Sequence, residues 1–139
     1  MIYSQNRTEQ RKFLATAWKK FLSNKSLDPI EVEIVAIIKL HPEYHQLINN
    51  IELDYFPEGG EVNPFLHINL HLSLREQLSI NQPNNIRNYY DKIINKVKDQ
   101  HKAEHIMMDC IADMIFSSQK NNTAMNHQAY IDCLIKKSE

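Results

Sequence analysis

Three pairs of histidines, each with its members four residues apart, give this chain its strongest chemical signal. The pairs are His41/His45, His67/His71 and His101/His105, and they include six of the seven histidines in 139 residues. A separation of four residues places two side chains on one face of a helix, with about 5–6 Å between their Cβ atoms. Because imidazole is a common ligand of transition metals, the spacing predicts a metal site in a helical protein.

Two of the pairs lie on apolar helix faces. One face contains His67, His71, Leu74 and Leu78, and the other contains His101, His105, Met108, Ala112 and Ile115. This i, i+4, i+7, i+11 pattern is typical of a face turned toward a core. Burying imidazoles is costly unless their nitrogens have partners, and a metal supplies them directly. We therefore predict these four histidines as ligands of a divalent metal such as zinc, iron, manganese or nickel.

Two carboxylates near the later pair extend this hypothesis. Glu104 and Asp109 could bind the metal themselves or accept hydrogen bonds from the ring N–H groups of the ligands. If one coordination position were open, a bound water could be activated for hydrolysis or group transfer. The alternative is that the histidines are hydrogen-bonded core or interface residues, or weak surface chelators, in a non-enzymatic interaction module. The sequence does not decide between an enzyme and such a module.

The pair His41/His45 has a different context. His41 continues the apolar face of Ile34 and Ile37, but Pro42 follows it directly. A proline disfavours the helical conformation of the residue before it, so the four-residue spacing does not place His41 and His45 on one helix face. For His41 and His45 the sequence therefore favours a structural role over metal ligation.

The elements that must position these residues are helices. Apolar periodicity and capping signals predict helices over 7–23, from 29 to about 41, from 42 through His45, and over 64–80, 84–98, 100–119 and 127–136. A long acidic loop is expected over 49–62. Only two glycines are present, and they are adjacent. We predict an all-α protein, with residues 1–139 forming a single compact bundle of about six helices.

Composition excludes several classes of function. The glycine-rich loops that bind nucleotide phosphates are not available in this sequence. It has no run of 18 apolar residues, so no membrane partner is expected. Cys110 and Cys133 fall in predicted helices among apolar neighbours, and no secretory signal is recognisable. We expect them to be reduced core residues of a cytoplasmic protein.

Charge is distributed unevenly along the first half of the chain. Residues 7–25 have a net charge of +5, whereas residues 28–61 have a net charge of −7. The simplest interpretation is that the two segments are neighbours or solvated faces. Alternatively, the basic first helix is a docking surface for an acidic partner or nucleic acid. A protein partner or a homo-oligomer stays open, and nucleic acid is not expected.

Known catalytic signatures give little support for a specific reaction. No histidine has an acidic residue three positions before it, as di-iron carboxylate bundles require. The segment 101–105 spells the H-x-x-E-H motif of inverted zinc peptidases. Those enzymes are large and take a further acidic ligand well downstream, whereas this chain ends soon after the motif. We interpret that match as coincidental.

Two longer segments, 63–77 and 101–110, resemble a small family of bacterial proteins known as domain of unknown function 1841. The resemblance covers nearly the whole chain, including the Trp18 helix. It implies a cytosolic bacterial protein but no particular activity. The chain departs from the family pattern at Asn85, where glycine is expected, and at Asp109, where glutamate is common. The shorter carboxylate weakens a direct-ligand role for Asp109.

Overall fold

A computed structural model describes residues 7–49 and 64–139, which contain helices and no strand. The helices are α1 (Arg7–Leu22), α2 (Pro29–Lys39), α3 (His45–Asn49), α4 (Pro64–Ile80), α5 (Ile86–Val97), α6 (Gln100–Asn121) and α7 (His127–Ser138), with a 3₁₀ helix over Pro42–Tyr44. Six of them have 11 to 22 residues. The prediction of an all-α protein with about six helices is confirmed. The expected loop over 49–62 lies almost entirely outside the described residues.

The chain divides into two compact units, Met1–Leu72 and Ser73–Glu139. The sequence-based expectation of a single domain over residues 1–139 stays a prediction. None of the described helices combines the length and apolarity needed to cross a bilayer.

The first unit has an aliphatic core to which α1, α2 and the first half of α4 contribute. Its buried side chains include Leu14, Ala17, Trp18, Ile34, Ile37, Ile38, Ile68 and Leu72. The start of α2 follows from its own sequence, since the backbone N–H of Asp28 donates to the Glu31 carboxylate over 2.9 Å. Lys20 of α1 binds the same carboxylate at 3.0 Å. The predicted start of α2 at Pro29 is thus confirmed, and an ion pair ties it to α1.

The chain leaves the helical conformation where Pro42 predicts that it should. His41 has φ −128° and ψ 67°, well outside the α-helical region. The 3₁₀ helix then begins at Pro42, and α3 begins at His45. The His41 side chain therefore leaves the backbone in a direction different from the one that it would have in a continued α-helix.

In the second unit, α5, α6 and α7 pack against one another. The apolar side chains that α6 buries lie on one broad face of the helix: Ala103, Met107, Met108, Cys110, Ile111 and Ile115. Side-chain caps fix the starts of two helices. Asp99 accepts the Lys102 N–H over 2.9 Å at α6, and Asn126 accepts the Ala129 N–H over 3.0 Å at α7. The predicted helix starts at residues 100 and 127 are confirmed.

A disulfide joins α6 to α7 through Cys110 and Cys133, whose Cα atoms are 5.8 Å apart. The expectation of two reduced cysteines is therefore wrong. Each cysteine was placed correctly in a helix, but the sequence does not show that the two helices bring them within disulfide distance. A cytoplasmic location stays a prediction that cysteine chemistry no longer supports.

Asparagine occupies four of the five non-glycine positions with positive φ among the described residues. Positive φ occurs at Asn24, Asn81, Asn85, Asn122 and Lys98. Asparagine tolerates this region better than other non-glycine residues. Residue 85 has φ 70° immediately before α5, which explains physically why glycine is expected there in the family that the sequence resembles.

Candidate metal centre

Three histidines of the first unit converge in its interior. His41 follows α2, whereas His67 and His71 lie one turn apart on α4. The ring centroids are 4.8 Å apart for His41–His67, 5.0 Å for His41–His71 and 4.9 Å for His67–His71. The three rings thus form a nearly equilateral triangle. His71 is completely buried, His41 is 3% exposed, and His67 is half-buried.

The tautomer of His41 is fixed by the helix that precedes it. Its Nδ1 lies 2.8 Å from the carbonyl oxygen of Ile37. A carbonyl oxygen can only accept, so Nδ1 carries the hydrogen and Nε2 presents its lone pair when the ring is neutral. Metal-binding histidines commonly donate their second ring N–H to a backbone carbonyl in this way.

The spacing of the nitrogen atoms matches that of ligands around one ion. The Nε2 atoms of His41 and His67 are 3.1 Å apart. With metal–nitrogen bonds of about 2.0–2.1 Å, this separation corresponds to an angle of roughly 98° at the metal, between octahedral and tetrahedral values. One ring nitrogen from each of the three histidines lies within 4.8 Å of the others. Tetrahedral ligands are about 3.3 Å apart, so a pair of nitrogens at the 4.8 Å limit would close by about 1.5 Å, or about 0.7 Å for each ring. The histidine cluster could hold a metal ion.

Tyr44 closes one side of this cluster. Its ring stacks on His41 with centroids 5.1 Å apart and an angle of 3° between the planes. It also meets the His67 ring edge-on at 6.0 Å. Since Ile37 and Ile68 nearby are completely buried, the three imidazoles lie beside an apolar core. Such surroundings exclude water and strengthen electrostatic interactions with a bound cation.

His45, which shares the four-residue spacing with His41, has a separate environment. Its Nε2 donates to the carbonyl oxygen of Ile38 over 2.9 Å, and its ring packs 4.6 Å from that of Trp18. These contacts fit the hydrogen-bonded structural role expected for His45, which stays a prediction. His41, for which the same role was expected, instead lies with His67 and His71.

The second unit contains a histidine pair of its own on α6. The Nε2 atoms of His101 and His105 are 2.7 Å apart, and the ring planes are nearly perpendicular at 83°. Both side chains are half-buried. The short distance requires that one nitrogen donates and the other accepts in the absence of a metal. Around a metal, the same separation would correspond to an angle of roughly 82°.

The two predicted carboxylates have different environments within the second unit. The Glu104 side chain is 2% exposed and forms an ion pair with Arg75, in which Nε and Oε1 are 3.0 Å apart. A second contact joins Arg75 Nη2 to Glu104 Oε2 at 3.5 Å. Burial raises the pKa of the nearby Tyr90, and the negative charge of Glu104 adds to the rise. Asp109 is exposed and belongs to no cluster of three or more candidate ligands among the described residues.

Sequence reasoning missed two features of these sites. The first is that His41 lies beside the α4 pair, although its position on the apolar face of Ile34 and Ile37 already pointed toward the interior. The second is the ion pair between Arg75 and Glu104, which are 29 residues apart. Each depends on packing between helices that periodicity alone does not describe.

Comparison with known proteins places the chain in a family without assigning an activity. The model of the family described as Domain of unknown function (DUF1841) matches residues 6–136. Neither a curated protein nor a solved structure matches the chain. Because the family match covers all but the terminal residues, this protein belongs to the DUF1841 family.

Proposed function

We propose that this protein binds a divalent transition metal ion through the imidazoles of His41, His67 and His71. The observation that carries the proposal is the convergence of these rings, with one ligand atom of each lying within 4.8 Å of the others. The hydrogen bond from His41 Nδ1 to Ile37 supports it, because that bond directs the Nε2 lone pair toward His67.

The donor set determines which metals fit. Three neutral imidazoles favour zinc, nickel or copper, and they also accept ferrous iron. Manganese prefers carboxylate and water oxygens, so it fits this donor set less well. Three protein ligands leave a coordination position for water, and zinc in such a site lowers the pKa of bound water to about 7. Metal-assisted hydrolysis is therefore the reaction class that this site would support, with its substrate unassigned.

The histidines of α6 stay predicted ligands in this proposal. His101 and His105 form a pair that could chelate an ion, and Glu104 and Asp109 stay predicted ligands or hydrogen-bond partners. A variant with both His101→Ala and His105→Ala tests their contribution. If it lowers the metal content together with the affinity, these residues contribute to the metal site. If it leaves both unchanged, the ligands are confined to the first unit.

Elemental analysis is the direct test. Tag-free protein, purified without chelators or nickel resin, is expected to contain close to one equivalent of zinc, nickel, copper or iron. The double variant His67→Ala/His71→Ala should lose that metal. His127→Ala provides the matched control, because His127 is the seventh histidine and is exposed at the start of α7. This control should retain the metal of the wild type.

Two results would overturn the proposal. One is wild-type protein that contains no metal and whose melting temperature does not change when zinc, nickel or iron is added. The other is a double variant that retains its metal. Either result would favour the interaction-module alternative, for which Lys19→Glu is the cleaner charge reversal, since Lys20 is paired with Glu31.

A further inference from the structure

The disulfide between α6 and α7 borders a cavity of about 410 Å³ in the second unit. Its lining is about equally polar and apolar and includes both cysteines together with Asp113, Ala129 and Tyr130. Small-molecule sites generally have volumes of about 300–1,000 Å³, so this cavity suits a small ligand. The metal proposal makes no use of it.

The cavity gives access to the disulfide from solvent. Ser117, Asn121 and Asn126, which line it, are exposed, so the cavity opens at the surface. Cys110 is only 1% exposed, whereas Cys133 is half-buried. A reagent that enters the cavity therefore reaches Cys133 first, without separation of α6 from α7.

The negative charge of Asp113 favours cationic ligands in this cavity. Asp113 is the only charged residue among those lining the cavity. Tyr130 is a buried wall residue whose hydroxyl donates to Gln77, and burial raises its pKa, so it stays neutral. A ligand with a cationic group would be attracted by the Asp113 carboxylate, while an anionic one would be repelled.

We propose that this cavity is a thiol–disulfide exchange site for small thiols that carry an ammonium group. The ligand thiolate attacks Cys133 Sγ, the bond to Cys110 Sγ breaks, and Cys110 leaves as a thiolate that takes up a proton. A second thiolate then attacks the ligand sulfur of the mixed disulfide and releases Cys133 as the second thiolate, which is protonated in turn. Two thiols are oxidised to one ligand disulfide, and the two electrons reduce the protein disulfide to two thiols.

The first experiment measures the kinetics of disulfide reduction with three thiol probes. Cysteamine is cationic, 2-mercaptoethanol is neutral and mercaptoacetate is anionic. The rate of formation of alkylatable protein thiols is followed by mass spectrometry and compared at equal thiolate concentration. Each rate is divided by the rate of the same thiol with dimethyl disulfide, an uncharged reference that none of the three probes regenerates, which removes differences in intrinsic nucleophilicity. Cysteamine is expected to be faster than 2-mercaptoethanol by about three- to tenfold, and mercaptoacetate slower.

A charge variant tests the role of the cavity carboxylate. Asp113→Asn should abolish the preference for cysteamine, whereas Asp91→Asn, on an exposed residue of α5 outside the cavity, should preserve it. The intermediate is expected to carry the ligand on Cys133. An unchanged preference in Asp113→Asn, or a mixed disulfide on Cys110, would overturn the proposal.

A second variant tests access through the cavity. Ala129→Trp fills the cavity and should slow reduction by cysteamine at least about tenfold, while Lys136→Trp on an exposed part of α7 outside the cavity should not. Urea below the unfolding transition separates access from unfolding, since exchange through the cavity should depend only weakly on urea. A rate that rises with urea as steeply as global unfolding would overturn the proposal, as would native protein that already contains two free thiols.

Discussion

The placement of His41 in the metal centre, and of His45 outside it, can be tested with a matched pair of variants. His41→Ala removes one of three proposed ligands, and His45→Ala removes a histidine only four positions away that contacts Trp18 instead. Both variants also lose a ring hydrogen bond to a carbonyl of α2. They should therefore lose comparable stability without metal, about 1–3 kcal/mol including the packing of the ring.

The response to zinc should separate the two variants. Loss of a residue that only supports a ligand typically weakens metal binding 10- to 100-fold, so loss of a direct ligand should raise the Kd by at least about 100-fold. At free zinc equal to 100 times the wild-type Kd, binding adds about 2.7 kcal/mol of stability to the wild type. At the same zinc concentration, His41→Ala gains only about 0.4 kcal/mol.

These energies convert into melting temperatures through the entropy of unfolding. At about 2.1 cal/mol/K per residue, cooperative unfolding of 139 residues has an entropy near 0.29 kcal/mol/K. Zinc should then raise the melting temperature of the wild type and of His45→Ala by about 9 °C, and that of His41→Ala by about 1 °C. The assay is thermal melting followed by circular dichroism across a zinc-buffer series. A full zinc shift in His41→Ala, or its loss in His45→Ala alone, would refute the assignment.

Three further predictions concern stability. Arg75→Met should lower the free energy of unfolding by about 3–5 kcal/mol in urea denaturation, because it leaves the buried Glu104 carboxylate without the guanidinium of Arg75. Adding Glu104→Met should restore most of the lost stability. An Arg75→Met variant as stable as the wild type would contradict the role of this ion pair. The hydrogen bond from the backbone N–H of Asp28, followed by the contact with Lys20, lowers the pKa of Glu31 below its ordinary value of 4.5. The stability that the ionised carboxylate contributes is therefore fully present above pH 4.5, and it is lost as the pH falls through the lowered pKa. Glu31→Gln should thus be less stable than the wild type at neutral pH, with a difference that shrinks as thermal melts are run at increasingly acidic pH; a constant difference would show that ionisation is not its source. Lys98→Gly should raise the free energy of unfolding by about 0.5–1 kcal/mol, because Lys98 has φ 58°, a conformation that glycine adopts at lower cost. The urea midpoint measures this change. A lower midpoint would mean that lost contacts of the Lys98 side chain outweigh the relief of backbone strain.

Local chemistry made most of the helices predictable from the sequence. A cap and its proline at Asp28-Pro29, or the capping side chain of Asn126, act within a few residues and so leave a signal that short-range reasoning can find. Pro42 also acted locally, and it correctly placed the end of the helical conformation at His41. The helix boundaries therefore follow from interactions between near neighbours in the chain.

The composition of the histidine cluster could not be obtained in the same way. His41 and His67 are 26 residues apart, and their contact depends on how α4 packs within the first unit. Four-residue spacing predicts a shared face only inside a continuous helix, a condition that His67 and His71 meet and His41 and His45 do not. The disulfide could not be predicted for the same reason. Its cysteines are 23 residues apart in the sequence, and only the packing of α6 against α7 brings them together.

The histidine cluster is one place where polar side chains interrupt the apolar core of the first unit. Aliphatic side chains such as Ile34, Ile37 and Ile68 fill that core, and the helix start at Asp28 is capped as its sequence predicts. Two imidazoles that are 0% and 3% exposed would be more stably replaced by leucine if packing alone determined the residue. A buried polar group that lowers stability is a candidate for a functional role. The separation of 3.1 Å between the Nε2 atoms of His41 and His67 fits two ligands of one ion, which is the arrangement that the proposed metal site requires.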